Sequence, residues 1–265
     1  MKRLIVLALS FSLSLALAAC GGSQSGAHPD ASGDVGGLRV TQDNGTTVLR
    51  SDERTQTLQG RFEHARVAPG FPTDGQSRAA DMVVLQDVAN AGTATTSRFA
   101  IVDATLKSPA KLVELQGDFD YDAVSPTLDT LYLVSHFSVE RPDQYAVRSY
   151  NVAAGTLDEQ IVADKSAVLE GPMAGRPISR ATSESGEWVY TAYRGEHAFV
   201  HALNTVGKYA VCIDLPHRVA TVSDWQLRLD EARATLIATS PSTGAAARMD
   251  TTNFTATLVT PTRPA

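Results

Sequence analysis

Three groupings in this 265-residue sequence bring together side chains able to do chemistry. His197-Ala-Phe-Val-His201 places two imidazoles four residues apart, the spacing at which a helix presents both to one zinc ion, but the glutamate that follows the first histidine in such helices is absent. In a strand, rising about 3.3 Å per residue, the two rings share a face yet stand about 13 Å apart, too far for one ion. Phe199, Val200, Ala202 and Leu203 make the run apolar, so a strand is expected and the histidines read as structural. Ser108-Pro-Ala-Lys111 has the spacing of a serine activated by a lysine one helical turn on, but Ser223-Asp224 is followed by Trp225 and no Lys-Thr-Gly accompanies it, so the match reads as chance. Asp118-Phe-Asp-Tyr-Asp122 could present carboxylates to a cation, although an alternating acidic run before a strand also protects a sheet edge. There is no Gly-x-Ser-x-Gly elbow, phosphate loop or dinucleotide fingerprint. No catalytic residue, cofactor or metal is therefore assigned.

Cys20 carries a different chemistry. Met1-Lys2-Arg3 precedes an uncharged run over residues 4–19 that ends in small residues, the pattern of a signal peptide. Its 16 residues fall short of the roughly 20 that span a hydrocarbon core. Leu17-Ala18-Ala19-Cys20 resembles the bacterial lipobox. That resemblance implies diacylglycerol on the Cys20 sulfur, cleavage before Cys20 and a further acyl chain, such as palmitate, on the new amino terminus. At about 0.8 kcal/mol per buried methylene, two or three chains make attachment essentially permanent. The expected address is extracytoplasmic, lipid-anchored to the cell membrane, or to the outer membrane in a Gram-negative source. Lipidation leaves Cys212, in an apolar run, without a disulfide partner, so it is expected as an inert core thiol.

The chain has 23 basic and 29 acidic residues, and removal of Lys2 and Arg3 with the leader leaves a formal net charge of −8. Such a balance argues against a nucleic-acid partner. Residues 1–19 read as signal peptide, 20–37 as a Gly/Ser-rich linker without apolar periodicity, and 38–265 as one folded domain.

The elements that must position any site are strands. Helical periodicity is missing, while short β-rich runs alternate with Gly, Pro, Asn, Asp and Ser. Asn44-Gly45 between Leu38–Asp43 and Thr46–Arg50 predicts a hairpin with a type I′ turn. Strands that end in Asp or Asn place Asp52, Asp103, Asn151, Asn204 and Asp250 at intervals of 51, 48, 53 and 46 residues. A period near 50 holding about four strands fits a propeller blade. A β-sandwich is the alternative, but its turns recur every 8 to 12 residues without such a super-period.

Ala123-Val-Ser-Pro-Thr-Leu-Asp-Thr-Leu-Tyr-Leu133, followed by Val147-Arg-Ser-Tyr-Asn-Val-Ala-Ala-Gly-Thr156, resembles the TolB-like and YVTN-type β-propeller repeat, and Trp188 to Leu215 is similar to propeller-type lipoproteins secreted by high-GC bacteria. The resemblance covers about residues 80 to 258 and implies an all-β, propeller-like domain of about five four-stranded blades. The ring is expected to be incomplete, or to borrow a strand from residues 67–77, because no inner strand precedes Leu38. In propellers the loops leading into inner strands usually meet ligands. Here those loops are expected to carry Asp118, Asp120, Asp122, Arg176, Arg180, His217 and Asp224.

Two function classes follow. One is a membrane-anchored, non-catalytic scaffold for an envelope protein, peptide or glycan, and the other an envelope hydrolase of lactonase type with a central metal site. The anchor has a direct test: Cys20→Ser should move the chain from the detergent phase to the aqueous phase or leave it uncleaved, and unaltered detergent partitioning would refute lipidation.

Overall fold

The computed structural model describes residues 37–67, 76–77, 82–89, 95–137, 144–162, 173–195, 197–216 and 224–259. The signal peptide, Cys20, nearly all of the linker and His217 lie outside them. Every sheet pairing among the described residues is antiparallel, and the strands form five sheets in chain order. The first holds β1 (Arg39–Asp43), β2 (Thr46–Ser51) and β3 (Arg54–Gln59). The second orders β4 (Phe62–His64), β6 (Met82–Asp87), β7 (Thr96–Asp103) and β8 (Lys111–Gln116), with β5 (Gln76–Ser77) also paired to β6. The third orders β9 (Phe119–Val124), β10 (Thr130–His136), β11 (Gln144–Asn151) and β12 (Thr156–Ile161), with β13 (Met173–Ala174) added to β11. The fourth is β14 (Arg176–Thr182), β15 (Trp188–Arg194), β16 (Phe199–Asn204) and β17 (Tyr209–Asp214). The fifth is β18 (Gln226–Asp230), β19 (Thr235–Thr239), β20 (Ala246–Asp250) and β21 (Ala256–Val259).

This is the propeller-like meander that the period implied, and it replaces the sandwich. Four apolar clusters each join one sheet to the next. Val40, Leu49 and Leu58 meet Phe62, Val83 and Leu85 between sheets one and two. Val84, Phe99 and Val113 meet Tyr121, Leu131 and Leu133 between two and three. Tyr132, Tyr145 and Val147 meet Val189, Tyr193 and Leu203 between three and four. Tyr190, Val200 and Ile213 meet Leu236, Ala247 and Met249 between four and five. The continuous apolar run Phe99-Ala-Ile-Val102 is explained directly: alternate side chains face opposite seams, Phe99 and Ile101 one way, Ala100 and Val102 the other. The end sheets differ. On β2, Thr47, Leu49 and Ser51 are buried while Arg50 is exposed, and on β20 Ala247 and Met249 are buried while Arg248 is exposed. Polar outer faces are what terminal repeats need.

The turns recur as the repeat predicts. Asp103, Asn151, Asn204 and Asp250 each end the third strand of a sheet, opposite Met82, Thr130, Trp188 and Thr235. Each also caps the following turn: Asp103 accepts from Thr105 N at 2.8 Å, Asn151 from Ala154 N at 2.8 Å, Asn204 from Gly207 N at 2.5 Å and Asp250 from Thr252 N at 2.8 Å. In the first sheet the strand-ending residue is Ser51, so Asp52 sits one position later, in the left-handed region at φ 49°. Asn44 and Gly45 adopt φ 48° and 80°, as a type I′ turn requires. Between first and second strands, Ser125 N donates to Thr130 O at 2.9 Å, and Ser183 N to Trp188 O at 2.8 Å, the same turn twice. Gly186 takes the left-handed position in one and Leu128 in the other, at φ 76° and 58°. Leucine is held there because its side chain is buried in a seam.

Two expectations change, those for the 67–77 segment and for Cys212. The 67–77 segment supplies β5 to the second sheet, not the first, so the first sheet has three strands among the described residues. Trp188 is half-buried, packed against Tyr190, Tyr209 and Phe254 at centroid distances of 6.1, 5.7 and 5.3 Å. Cys212 is also only half-buried, because it lies on the outermost strand of its sheet. The seams predict the energetics. Phe99→Ala should lower the unfolding free energy by about 3–5 kcal/mol in urea melts, whereas exposed Thr57→Ala should change it by less than about 0.5 kcal/mol.

Candidate functional site

At one end of the array lie the turns just described, many of whose polar groups hydrogen-bond within the turn, while the Lys111 ammonium and the Gln56 amide reach carbonyls of the next sheet. Asp103 and Asp250 show the consequence: hydrogen bonds from Thr105 and Thr252, respectively, hold their carboxyls below the usual range. At the other end the inner strands begin, and several charged groups there reach between sheets or into solvent.

On β9, Asp120 accepts a hydrogen bond from Gln86 Nε2 of β6 at 2.8 Å and lies 3.0 Å from His136 Nε2 at the end of β10. Burial alone would raise the Asp120 carboxyl, but the His136 and Gln86 hydrogen bonds and the His136 charge outweigh it and hold the value down. Asp118, just before β9, is shifted the other way, first by partial burial and then by the neighbouring Asp120 charge, against the pull of His136.

Asp122 is the extra residue of a bulge: Tyr132 pairs Ala123 and Leu133 pairs Tyr121, leaving Asp122 without a cross-strand partner. Its carboxylate meets Arg180 of β14, Nη2 to Oδ1 at 2.7 Å, with side chains only 1% and 3% exposed. Arg180 also donates from Nη1 to the Asp122 carbonyl at 2.5 Å and from Nε to Thr191 Oγ1 at 3.0 Å. Desolvating two charges is costly, and the additional donor bonds offset that cost. Around the pair, Tyr145 stacks on Tyr193 and Tyr193 on Phe199, both at 5.3 Å. Burial drives the Tyr145 and Tyr193 hydroxyls far above their ordinary values.

The expected ligand-facing residues therefore divide. Asp120 and Asp122 lie within β9, and Arg176 and Arg180 within β14, rather than in the loops before them. Asp122 and Arg180 form a buried inter-sheet pair. Asp224 precedes β18 and accepts from Ser240 Oγ at 2.6 Å and Ser242 N at 2.8 Å, closing a neighbouring turn. Asp118 is partly exposed, Arg176 is exposed, and His217 is outside the described residues. Sequence reasoning missed Gln86, His136 and Arg194. Aligning the ends of the second strands would have found the last two, since His136 and Arg194 both close such strands.

His197 lies before β16, 60% exposed and 3.3 Å from Asp214, whereas His201 is buried within it at 1% exposure, so the two imidazoles have separate surroundings. Ser108 belongs to the turn before β8, and the Lys111 ammonium is bound to the Val152 carbonyl, so the Ser-x-x-Lys match is no catalytic pair. Among the described residues no three His, Cys, Asp or Glu side chains converge as metal ligands.

No family model and no curated protein matches this chain. Solved structures with similar folds include the nidogen/laminin complex (TM-score 0.43, 10% identity, covering 85% of this chain and 75% of that one). A KlHsv2 variant with loop 6CD replaced by a Gly-Ser linker has a TM-score of 0.46 at 9% identity, over 85% of this chain and 68% of that one. A putative TolB from Agrobacterium tumefaciens has a TM-score of 0.43 at 11% identity, over 83% and 76%. Sheet order and seams in the chain itself define its class as all-β and propeller-like.

The Asp122–Arg180 pair yields a prediction about stability. Arg180→Met alone should cost about 3–5 kcal/mol by stranding a buried carboxylate, while Asp122→Leu combined with Arg180→Met should recover most of the loss. Equal losses in the single and double variants, read in chemical denaturation, would show that the pair is not coupled.

Proposed function

We propose that this chain is an extracytoplasmic lipoprotein, held on the membrane through Cys20, whose propeller-like domain is a non-catalytic binding scaffold in the cell envelope. The observation that carries the reading is the set of charged side chains presented where the inner strands begin. At the opposite end many polar groups close turns, such as Ser125–Asp129 at 2.7 Å. The inner-strand end presents Asp118, Arg176, Arg194 and His197 in exposed or half-exposed positions on strand ends fixed by buried seams. Strand-anchored groups at a rigid rim suit recognition of an envelope protein, peptide or glycan.

Site-specific photo-crosslinking in native membranes tests it. A photoreactive residue replacing His197 or Arg176 should capture a partner, while one replacing Glu53 or Lys208, at the opposite end, should not. Equal capture from both ends, or capture from the second end only, would refute the assignment of the binding face.

A further inference from the structure

The rim of the fourth sheet sets two like charges opposite each other. Arg176, the first residue of β14, stands directly opposite Arg194, the last residue of β15. Directly opposed residues on antiparallel strands share a face with Cβ atoms about 5 Å apart, and like charges so placed are destabilising. Both arginines are exposed, and neither meets a carboxylate among the described residues. In an acidic chain, carrying 29 Asp and Glu against 23 Lys and Arg, such a pair stands out.

The backbone beneath them is tight. A Cβ on Gly175 would lie 3.0 Å from the Arg194 carbonyl oxygen, and one on Gly195 would lie 3.2 Å from that of Ala174. Gly175 also adopts φ 149°, so glycine before Arg176 and after Arg194 lets the two strand ends close and fixes the spacing of the guanidinium stems.

The fifth sheet adds a second observation. Trp225 precedes β18, is 1% exposed, and leaves its indole N–H without a hydrogen-bond acceptor among the described residues. A buried unpaired donor is costly. Trp225 belongs to the cluster between sheets four and five together with Ala192. Tyr193 alternates to the opposite seam, so Arg194 returns to the Ala192 side, which faces Trp225. Thr235 and Trp188 open equivalent second strands, so within the repeat Thr239 corresponds to Ala192 and its partner Gln226 to Ser179. Trp225, one residue before Gln226, therefore lies toward the same end of its sheet as Arg176 and Arg194 do of theirs.

We infer that Arg176, Arg194 and the Trp225 indole N–H form an oxyanion site at the rim between the fourth and fifth sheets, and that its ligand is a phosphate monoester group, free or on a lipid headgroup. Two guanidinium groups match a dianion, where a single carboxylate would leave one positive charge unbalanced. The inference rests on reading this rim as the binding face, but concerns a property separate from the anchor at Cys20.

The test uses the full chain with Trp188→Phe, so that fluorescence reports Trp225 alone. Inorganic phosphate should quench or shift the emission saturably, and Arg176→Gln or Arg194→Gln should each weaken binding about tenfold or more. Arg54→Gln, on an exposed residue at the opposite end, should leave it unchanged. Phosphatidylcholine vesicles with and without phosphatidic acid separate the sources, because the Cys20 anchor acts on both: a Trp225 response that appears only with phosphatidic acid, and that Arg176→Gln removes, assigns a lipid headgroup, and a response to inorganic phosphate alone assigns a free phosphate. No saturable response, or one that survives both arginine replacements, overturns the site. Crosslinks from His197 that persist in Arg176→Gln would show that the scaffold reading stands even if the phosphate site fails.

Discussion

A four-stranded antiparallel sheet with apolar side chains on both faces is not stable in water alone, and everything else in this domain follows from that. The middle sheets carry buried residues at nearly every position of their central strands, as in β16, where all six residues are buried. Each face must therefore be covered by another sheet. The chain meets this need by stacking five sheets at four seams, with one-sided sheets at the two ends. Fully burying a Phe, Leu or Val side chain contributes about 1.5–3 kcal/mol, so each seam outweighs any single turn or surface ion pair. The same logic explains why the outer faces of the first and fifth sheets carry arginine and threonine.

Charge enters these seams only where the backbone makes room. The bulge at Asp122 turns one carboxylate out of the regular alternation and into reach of Arg180. A similar bond, from Gln86 to Asp120, ties the second sheet to the third near the rim. Such contacts favour one relative placement of the sheets, since they work only in one register, whereas apolar contacts tolerate sliding. Rigidity at the rim is then inherited by Arg176, Arg194 and His197, whose strand ends are held from below.

Much of this was legible in the residues. The Asn44-Gly45 hairpin and the spacing of Asp103, Asn151, Asn204 and Asp250 appear in the structure, because short-range turn chemistry and period-two burial are written locally. What escaped depends on contacts distant in sequence. Asp122 and Arg180 are 58 residues apart, and nothing near either one shows that both are buried. The one-residue offset at Asp52 arises because Ser51 ends its strand, and a four-residue pattern cannot distinguish the two positions. Cys212 and Trp188 have the side chains of core residues, but their exposure depends on which strand of the sheet is outermost and on what packs over a turn, neither of which hydropathy records.

Amide hydrogen exchange, resolved by residue, tests the central claim most directly. If five sheets meet at four seams, amides of β7, β10, β15 and β19 should exchange slowest, while those of β1 that point away from β2, where no strand pairs with it among the described residues, exchange orders of magnitude faster. Slow exchange along both edges of β1, matching that of β10, would show a strand seated there and a first sheet built like the rest, contradicting the open arrangement.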